Sequence, residues 1–182
     1  PYPIDIDFWK PIERKLAKKK LNWEDNKIHL LFGISNYSRK KIKGLDIALD
    51  LFKKFNQIND GKYILNIFGD INKDHINHKY INLLGTIKNL STFKTLYSAS
   101  DLLLHPSRLE SFGLIPLEAL ACGLPILINK NTGTNDLILS DKMGYALENE
   151  INTNFDLILS WFNKNCLVNN QNLLHNSIKE NF

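Results

Sequence analysis

The sequence predicts a single α/β domain: a parallel sheet with helices on both faces. Three observations predict it. Short, almost wholly apolar runs recur along the chain, several of them stop at a glycine or a proline, and segments of helical apolar spacing separate them. Strands buried on both faces read as unbroken apolar runs, and a parallel pair needs a crossover, usually a helix. The size agrees, since 182 residues with 43% hydrophobic and 10% aromatic content suit one domain with a substantial core.

Residues 1–26 read as a proline-bounded link followed by a basic helical run, and 27–182 as the domain proper. Residues 27–33 form an apolar run ending in Gly33, hence a buried strand. Residues 44–55 place apolar side chains at 45, 48, 49, 51, 52 and 55, a helical spacing. Residues 63–69 are a second strand ending in glycine and 80–84 a third, with Ser91 as N-cap of a helix running to 98. The fourth strand, 102–104, is stopped by Pro106. A helix over 114–122 follows, with Pro116 in its first turn and Gly123 just past its end. Residues 124–128 and 144–147 are the fifth and sixth strands, and 153–179 is mostly helical. Ligands of such sheets bind outside the carboxyl ends of the strands. Function is therefore expected in the loops 33–44, 69–77, 85–91, 105–114 and 129–135.

Composition excludes several classes. Gly 9, Pro 6 and 23% charged residues are ordinary, unlike collagen-like, mucin-like or disordered chains. No apolar run approaches the ~20 residues of a membrane span, and no signal peptide opens the chain. The start, Pro1-Tyr2-Pro3-Ile4-Asp5, reads like the middle of a longer protein. A net charge of +4 and a pI near 9.0 permit an anionic partner without demanding nucleic acid. The cluster Arg14-Lys15 with Lys18-Lys19-Lys20 is expected on a solvated surface; a second gathers Arg39-Lys40-Lys41 and Lys43. The two cysteines, Cys122 and Cys166, have no metal spacing and read as reduced, packed thiols of a cytoplasmic protein. The Asn-x-Ser triplets at Asn36 and Asn89 are read as chance products of an Asn-rich composition.

The chemistry concentrates in residues 106–125, PSRLESFGLIPLEALACGLP. A strand ends, a loop carries Glu110, Gly113 lets the backbone approach a ligand, and a helix begins whose free N–H groups form an anion site. Glu118, expected in the first helical turn, can accept two hydrogen bonds from a vicinal diol. Glu110, eight positions earlier, can hold another polyhydroxylated group. A phosphate between two sugars, read by a helix start and two carboxylates, describes a nucleotide sugar. The opposing account is that a Glu near a helix start is favoured by the dipole alone.

The stretch resembles the glutamate–seven residues–glutamate motif of retaining glycosyltransferases with the GT-B fold, family four in particular, down to the Ala-Cys-Gly-x-Pro turn at 121–125. The resemblance extends to Gly33 with Lys43-Gly44, to Leu84-Gly85-Thr86-Ile87, to Leu96-Tyr97 and Ala99-Ser100-Asp101, and to Thr132-Gly133-Thr134-Asn135-Asp136. Pro3-Ile4-Asp5 through Phe8 and Pro11 resembles the link from an amino-terminal domain, and Glu180-Asn181-Phe182 the last helix of this half. It implies a Rossmann-like, carboxy-terminal donor-binding half. Glu118 would take the ribose hydroxyls, and Glu110 the donor-sugar hydroxyls near the reacting carbon. Ser111 and the N–H groups of Phe112, Gly113 and Leu114 would hold phosphate or sugar oxygens. Lys43 would pair with the diphosphate and stabilise the leaving group's growing charge, with Arg39 as a further phosphate partner. Gly33 would lie against the donor and the Ile87 backbone near the base.

The sequence departs from the family where Ile34 stands in place of the Arg after the first-strand Gly; Arg39, Arg108 or neither takes its place. Thr132 and Asp136 replace the usual Gly and Glu of the later loop. Weaker motifs are set aside. Asp5-Ile6-Asp7 lies in the opening segment and not after a central strand. Asp70-x-Asn72-x-Asp74 has His75 where a calcium loop needs Gly. His75 and His78 lack a third ligand. His105, at a strand end before Pro106, can approach the site, but a satisfied structural His is the expectation. The resemblance thus implies metal-independent, retaining transfer of a sugar from a nucleoside diphosphate to a glycan or lipid-linked acceptor. A missing amino-terminal half would bind the acceptor, peripheral membrane contact is compatible, and no nucleic acid is expected. The alternatives are an epimerase-like GT-B domain or a non-enzymatic anion-binding module.

Overall fold

A computed structural model describes residues 4–71, 76–148, 151–168 and 170–182. Six parallel strands form one sheet: β1 (Ile28–Ile34), β2 (Tyr63–Gly69), β3 (Ile81–Gly85), β4 (Leu102–His105), β5 (Ile126–Asn129) and β6 (Gly144–Leu147), in the order β3-β2-β1-β4-β5-β6. The helices are α1 (Arg14–Lys20), α2 (Lys40–Lys43), α3 (Leu45–Ile58), α4 (Leu90–Ala99), α5 (Leu114–Ala121), α6 (Ile151–Asn165) and α7 (Gln171–Asn181).

The unbroken apolar strands have a direct cause. Along β1, Ile28, Leu30, Phe32 and Ile34 join one core layer with Leu51, Phe52 and Phe55 of α3 and Ile158 and Phe162 of α6. Leu31 turns the other way, with Leu103, Ile126 and Ile128, onto Leu96 of α4, Leu117 and Leu120 of α5 and Leu174 of α7. Both faces are covered, so polar alternation has no place. Gly33 is needed because the Phe68 ring lies across it, and any Cβ would run into that ring.

Element ends differ from the sequence reading by small, explicable amounts. The N-cap of α4 is Asn89 and not Ser91: its Oδ1 accepts from the Ser91 N–H at 2.8 Å and the Ser91 hydroxyl at 2.8 Å. Asn36 caps the 3-10 turn Tyr37–Arg39 in the same way, accepting from the Ser38 N–H at 2.9 Å and its hydroxyl at 2.8 Å. Both Asn-x-Ser triplets are thus capping devices. The helix expected over 44–55 is α3, which begins at Leu45 and runs on to Ile58; the short α2 before it was not expected, and Gly44, at φ +74°, separates the two. The fifth strand begins at Ile126, after Leu124 and Pro125.

The opening segment packs on the domain. Trp9 is buried between Phe8 and Tyr97, with ring centroids 4.9 and 5.8 Å away. The Ile12 N–H donates to Ser98 Oγ at 3.0 Å, and Gln171 Nε2 donates to the Ile12 and Ser98 carbonyls, both at 3.2 Å.

The first basic cluster is only partly solvated, which corrects the expectation. Lys15, Lys19 and Lys20 are exposed, but Lys18 is 4% exposed. Glu13 caps α1, which lays Ala17 and Lys18 against the amino end of the sheet. There Lys18 Nζ meets Asp101 Oδ2 at 3.2 Å and donates to the Lys27 carbonyl at 3.0 Å. Arg14 approaches Asp101 Oδ1 at 3.2 Å, and the His29 N–H donates to Oδ2 at 2.8 Å. The aspartate is saturated by protein, so its charge serves packing.

Asp5 Oδ1 accepts from the Phe8 N–H at 2.9 Å, a turn role. The calcium-loop pattern at 70–74 and the His75/His78 pair extend outside the described residues. Among the described residues no helix is long and apolar enough to cross a membrane.

Replacing Asp101 by Ala leaves the Lys18 ammonium buried without its counter-charge. We expect a loss of about 3 kcal/mol in urea unfolding; a loss below about 1 kcal/mol would show that the cluster relaxes into solvent.

Candidate functional site

The strand order reverses direction at β1. The chain leaves β1 toward β2 and β3, then returns to β4 on its other side. The loops after β1 and β4 therefore part at the carboxyl ends and leave a crevice between them, the position where this topology binds ligands.

On the β1 side, the turn Tyr37–Arg39 and α2 carry the chain to Gly44. A side chain at Gly44 would collide with the Pro106 carbonyl, so only glycine lets the two loops touch. The Arg108 N–H donates to the Ile42 carbonyl at 2.7 Å. Its guanidinium forks onto Asp46 at 2.8 and 2.7 Å and donates to the Lys41 carbonyl at 2.5 Å. So clamped, Lys43 reaches across the crevice, with Nζ 2.8 Å from Glu110 Oε2.

His105, the last residue of β4 and 3% exposed, places Nε2 3.3 Å from the same Oε2. Burial lowers the His105 pKa against the raising effect of Glu110. The ring is therefore neutral, and its Nε2 proton is assigned toward Glu110. That hydrogen bond from His105, with the Lys43 ammonium, outweighs burial and brings the Glu110 pKa from 4.5 down to about 2. Glu110 is a half-buried, fixed anion. His105 is thus a satisfied, buried side chain, as expected, but the partner that satisfies it is Glu110, so it also borders the site. The available signal was its place at a strand end, five residues before the motif carboxylate.

The loop after β4 is also held from the β5 side. The Gly133 N–H donates to the Glu110 carbonyl at 3.0 Å, and a side chain at Gly133 would strike the Ser111 carbonyl. Gly113, φ +87°, lies under the Thr134 methyl and starts α5, which no side chain caps. Pro116, the third helical residue, has no N–H, so of the first three helical residues only Leu114 and Ile115 carry a free N–H.

Glu118 is not in that first turn. It is the fifth residue of α5, because the helix begins at Leu114. The dipole account fades within one turn and does not explain it. Burial raises its pKa, and a hydrogen bond from Tyr97 opposes the shift, with Tyr97 Oη 3.1 Å from Oε2. Tyr97 is the second member that reading the sequence did not single out as functional; it sits within an apolar stripe of α4, where nothing distinguishes it from core.

Of the other expected residues, Ser111 and Leu114 are exposed at the crevice, and Phe112 is half-buried near the Phe182 ring at 6.4 Å. Ile87, just after β3, packs partly into the α4–α5 core layer. Arg39 is exposed, and Arg108 is committed to Asp46. Gly33 is occupied by the Phe68 contact. Cys122 and Cys166 are buried thiols whose pKa values burial raises, that of Cys122 to about 12. Among the described residues no three His, Cys, Asp or Glu side chains gather as a metal site.

Lys43, His105 and Glu110 thus meet between the loops after β1 and β4, beside the start of α5, while Glu118 of α5 is held by Tyr97. The family model described as glycosyl transferases group 1 matches residues 13–179, and the chain belongs to that family. An uncharacterised glycosyltransferase of Methanocaldococcus jannaschii is 30% identical over 136 residues, covering 72% of this chain and 36% of that protein. The N-acetyl-alpha-D-glucosaminyl L-malate synthase of Bacillus anthracis is 31% identical over 127 residues, covering 65% and 32%. The chain spans 36%, 39% and 45% of three of the curated relatives that it matches. The C-terminal domain of a Francisella tularensis glycosyl transferase group 1 family protein superimposes with a TM-score of 0.73 at 17% identity, covering 98% of both chains. Anabaena HepE, crystallised with UDP and glucose, gives 0.67 at 17% identity, covering 97% of this chain and 54% of its own. The fold is the Rossmann-like half of GT-B glycosyltransferases.

The depressed Glu110 pKa carries a signed consequence. Its stabilising contribution is present above the unfolded value near 4.5 and is lost as pH falls toward about 2. Urea midpoints measured from pH 5 to pH 2 should fall more steeply for the wild type than for Glu110→Gln. Parallel curves would place Glu110 in solvent.

Proposed function

We propose that this chain is the donor-binding half of a retaining glycosyltransferase, which moves a sugar from a nucleoside diphosphate to a glycan or lipid-linked acceptor. The observation that carries the reading is the 2.8 Å approach of Lys43 to Glu110 across the β1/β4 crevice, beside the uncapped start of α5.

Glu118 takes ribose hydroxyls and Glu110 takes hydroxyls of the donor sugar near the reacting carbon. Ser111 and the N–H groups of Phe112, Gly113 and Leu114 hold phosphate or sugar oxygens, and the Ile87 backbone borders the base. Gly33 keeps the first strand close to the donor, and Arg39 stands outside as a secondary phosphate partner. As the sugar–oxygen bond breaks, its electron pair leaves with the diphosphate. Lys43 and the α5 start stabilise that charge from fixed positions. This positive field stands where other transferases use a metal ion, so none is required. A diphosphate competes with Glu110 for Lys43, so donor binding exchanges one ion pair for another and frees the carboxylate for the sugar.

The UDP complexes of HepE support a nucleotide-sugar donor. Leu109 and Leu114, 73% and 56% exposed at the crevice mouth, support a second half that covers the site and brings the acceptor. A cytoplasmic location, with peripheral contact to a membrane where the acceptor is lipid-linked, follows from such substrates. Retention is inferred from the resemblance of the Glu110–Glu118 motif to that of retaining enzymes.

Calorimetry of the 182-residue chain with UDP, GDP, ADP and their sugars tests this. We expect one diphosphate to bind, and Lys43→Met to weaken it by about tenfold or more, the worth of a charge-assisted hydrogen bond. Undiminished affinity would remove Lys43 from the diphosphate. The chain alone should transfer no sugar, and turnover by it would refute the need for a second half.

A further inference from the structure

Each motif carboxylate meets a side chain that reading the motif does not supply: His105 for Glu110 and Tyr97 for Glu118. The second contact reaches furthest, because its geometry allows one role. Tyr97 is fully buried, its ring packed between Trp9 at 5.8 Å and Phe93 at 5.9 Å. The phenol oxygen meets Glu118 Oε2 at 3.1 Å. Burial first, and then the Glu118 charge, hold the Tyr97 pKa well above its usual value, so the phenol stays protonated and is the donor. A rigid donor on one oxygen fixes the torsion of the whole carboxylate. The other oxygen, Oε1, then faces a set direction, and a carboxylate so oriented can match the fixed spacing of a vicinal diol.

We propose that Tyr97 is a positioning residue for nucleotide recognition: by pinning Glu118 Oε2 it makes the site select ribose over deoxyribose. The inference rests on the reading of Glu118 as the ribose ligand. Tyr97 touches no substrate itself, since it is sealed beneath α5 by Trp9 and Phe93. Its hydroxyl also opposes the effect of burial on Glu118, keeping the acceptor ionised at lower pH than burial alone would allow. Among the described residues, the ionisable groups bearing on this pair are each other and Cys122, a thiol whose pKa burial raises to about 12.

The test is a calorimetric comparison of UDP, GDP and ADP, each beside its 2′-deoxy form, on wild-type, Tyr97→Phe, Glu118→Gln and the double variant. The wild type should prefer the ribonucleotide by about tenfold, the worth of one hydrogen bond to a charged acceptor. Tyr97→Phe should reduce that preference to about threefold or less, and a far-UV circular dichroism spectrum matching the wild type certifies that the variant is folded. Adding Tyr97→Phe to Glu118→Gln should change nothing further, because the two act as one unit. The acid limb of ribonucleotide binding should move to higher pH in Tyr97→Phe, since Glu118 then protonates more readily. A wild-type chain without ribose preference removes Glu118 from the ribose, and this inference with it. A wild-type preference that Tyr97→Phe retains in full overturns the role of Tyr97 alone and leaves Glu118 in place.

Discussion

The site depends on one contact between loops: Gly44 pressed on the Pro106 carbonyl, with the Arg108 N–H bonded to the Ile42 carbonyl at 2.7 Å. A parallel sheet that reverses its order at β1 necessarily separates the loops after β1 and β4. Here that separation is bridged where Gly44 meets Pro106 and Arg108 meets Ile42, and the bridge sets how far Lys43 stands from Glu110. A Cβ at Gly44 would wedge the loops apart and take the ammonium with it. The Arg108–Asp46 fork is exposed and contributes little energy by itself. Its value is geometric, since it ties the start of α3 to the motif loop, as the bond to the Lys41 carbonyl ties α2.

The two ends of the sheet treat charge in opposite ways. At the amino end, Asp101 receives Lys18, Arg14 and the His29 N–H, so the carboxylate is spent on the protein's own groups. At the carboxyl end, Glu110 Oε2 meets Lys43 and His105, and Glu118 Oε2 meets Tyr97. Their environments also push them apart. Donors hold Glu110 near 2, while burial raises Glu118. Two glutamates eight residues apart in one motif are therefore not equivalent acceptors.

Much of this was legible in the letters. The strand 63–69 and the strand 144–147 occur as read, because a run buried on both faces carries no competing signal. Lys43 and Glu110, read as neighbours of one ligand, do meet between the loops after β1 and β4. The partners of His105 and Lys18 were missed for a shared reason. Lys18 stands in a basic run and His105 ends an apolar strand, and whether either is spent, solvated or functional depends on a partner far along the chain: Asp101, 83 positions from Lys18, or the Lys43 that shares Glu110 with His105. The N-cap of α4 moved from Ser91 to Asn89 because the Asn side chain can accept from both the N–H and the hydroxyl of that serine.

By itself the sequence determined the class of structure, the order of its elements and the family, since these rest on local periodicity, on punctuation by Gly and Pro, and on one ordered motif. Only the tertiary structure decided which side chains meet. Lys43 and Glu110, 67 positions apart, share an ion pair because β1 and β4 are neighbours in the sheet. Tyr97 and Glu118, 21 positions apart, share a hydrogen bond because α4 and α5 pack on the same face. Such distances are set by packing across the sheet, which no local pattern encodes.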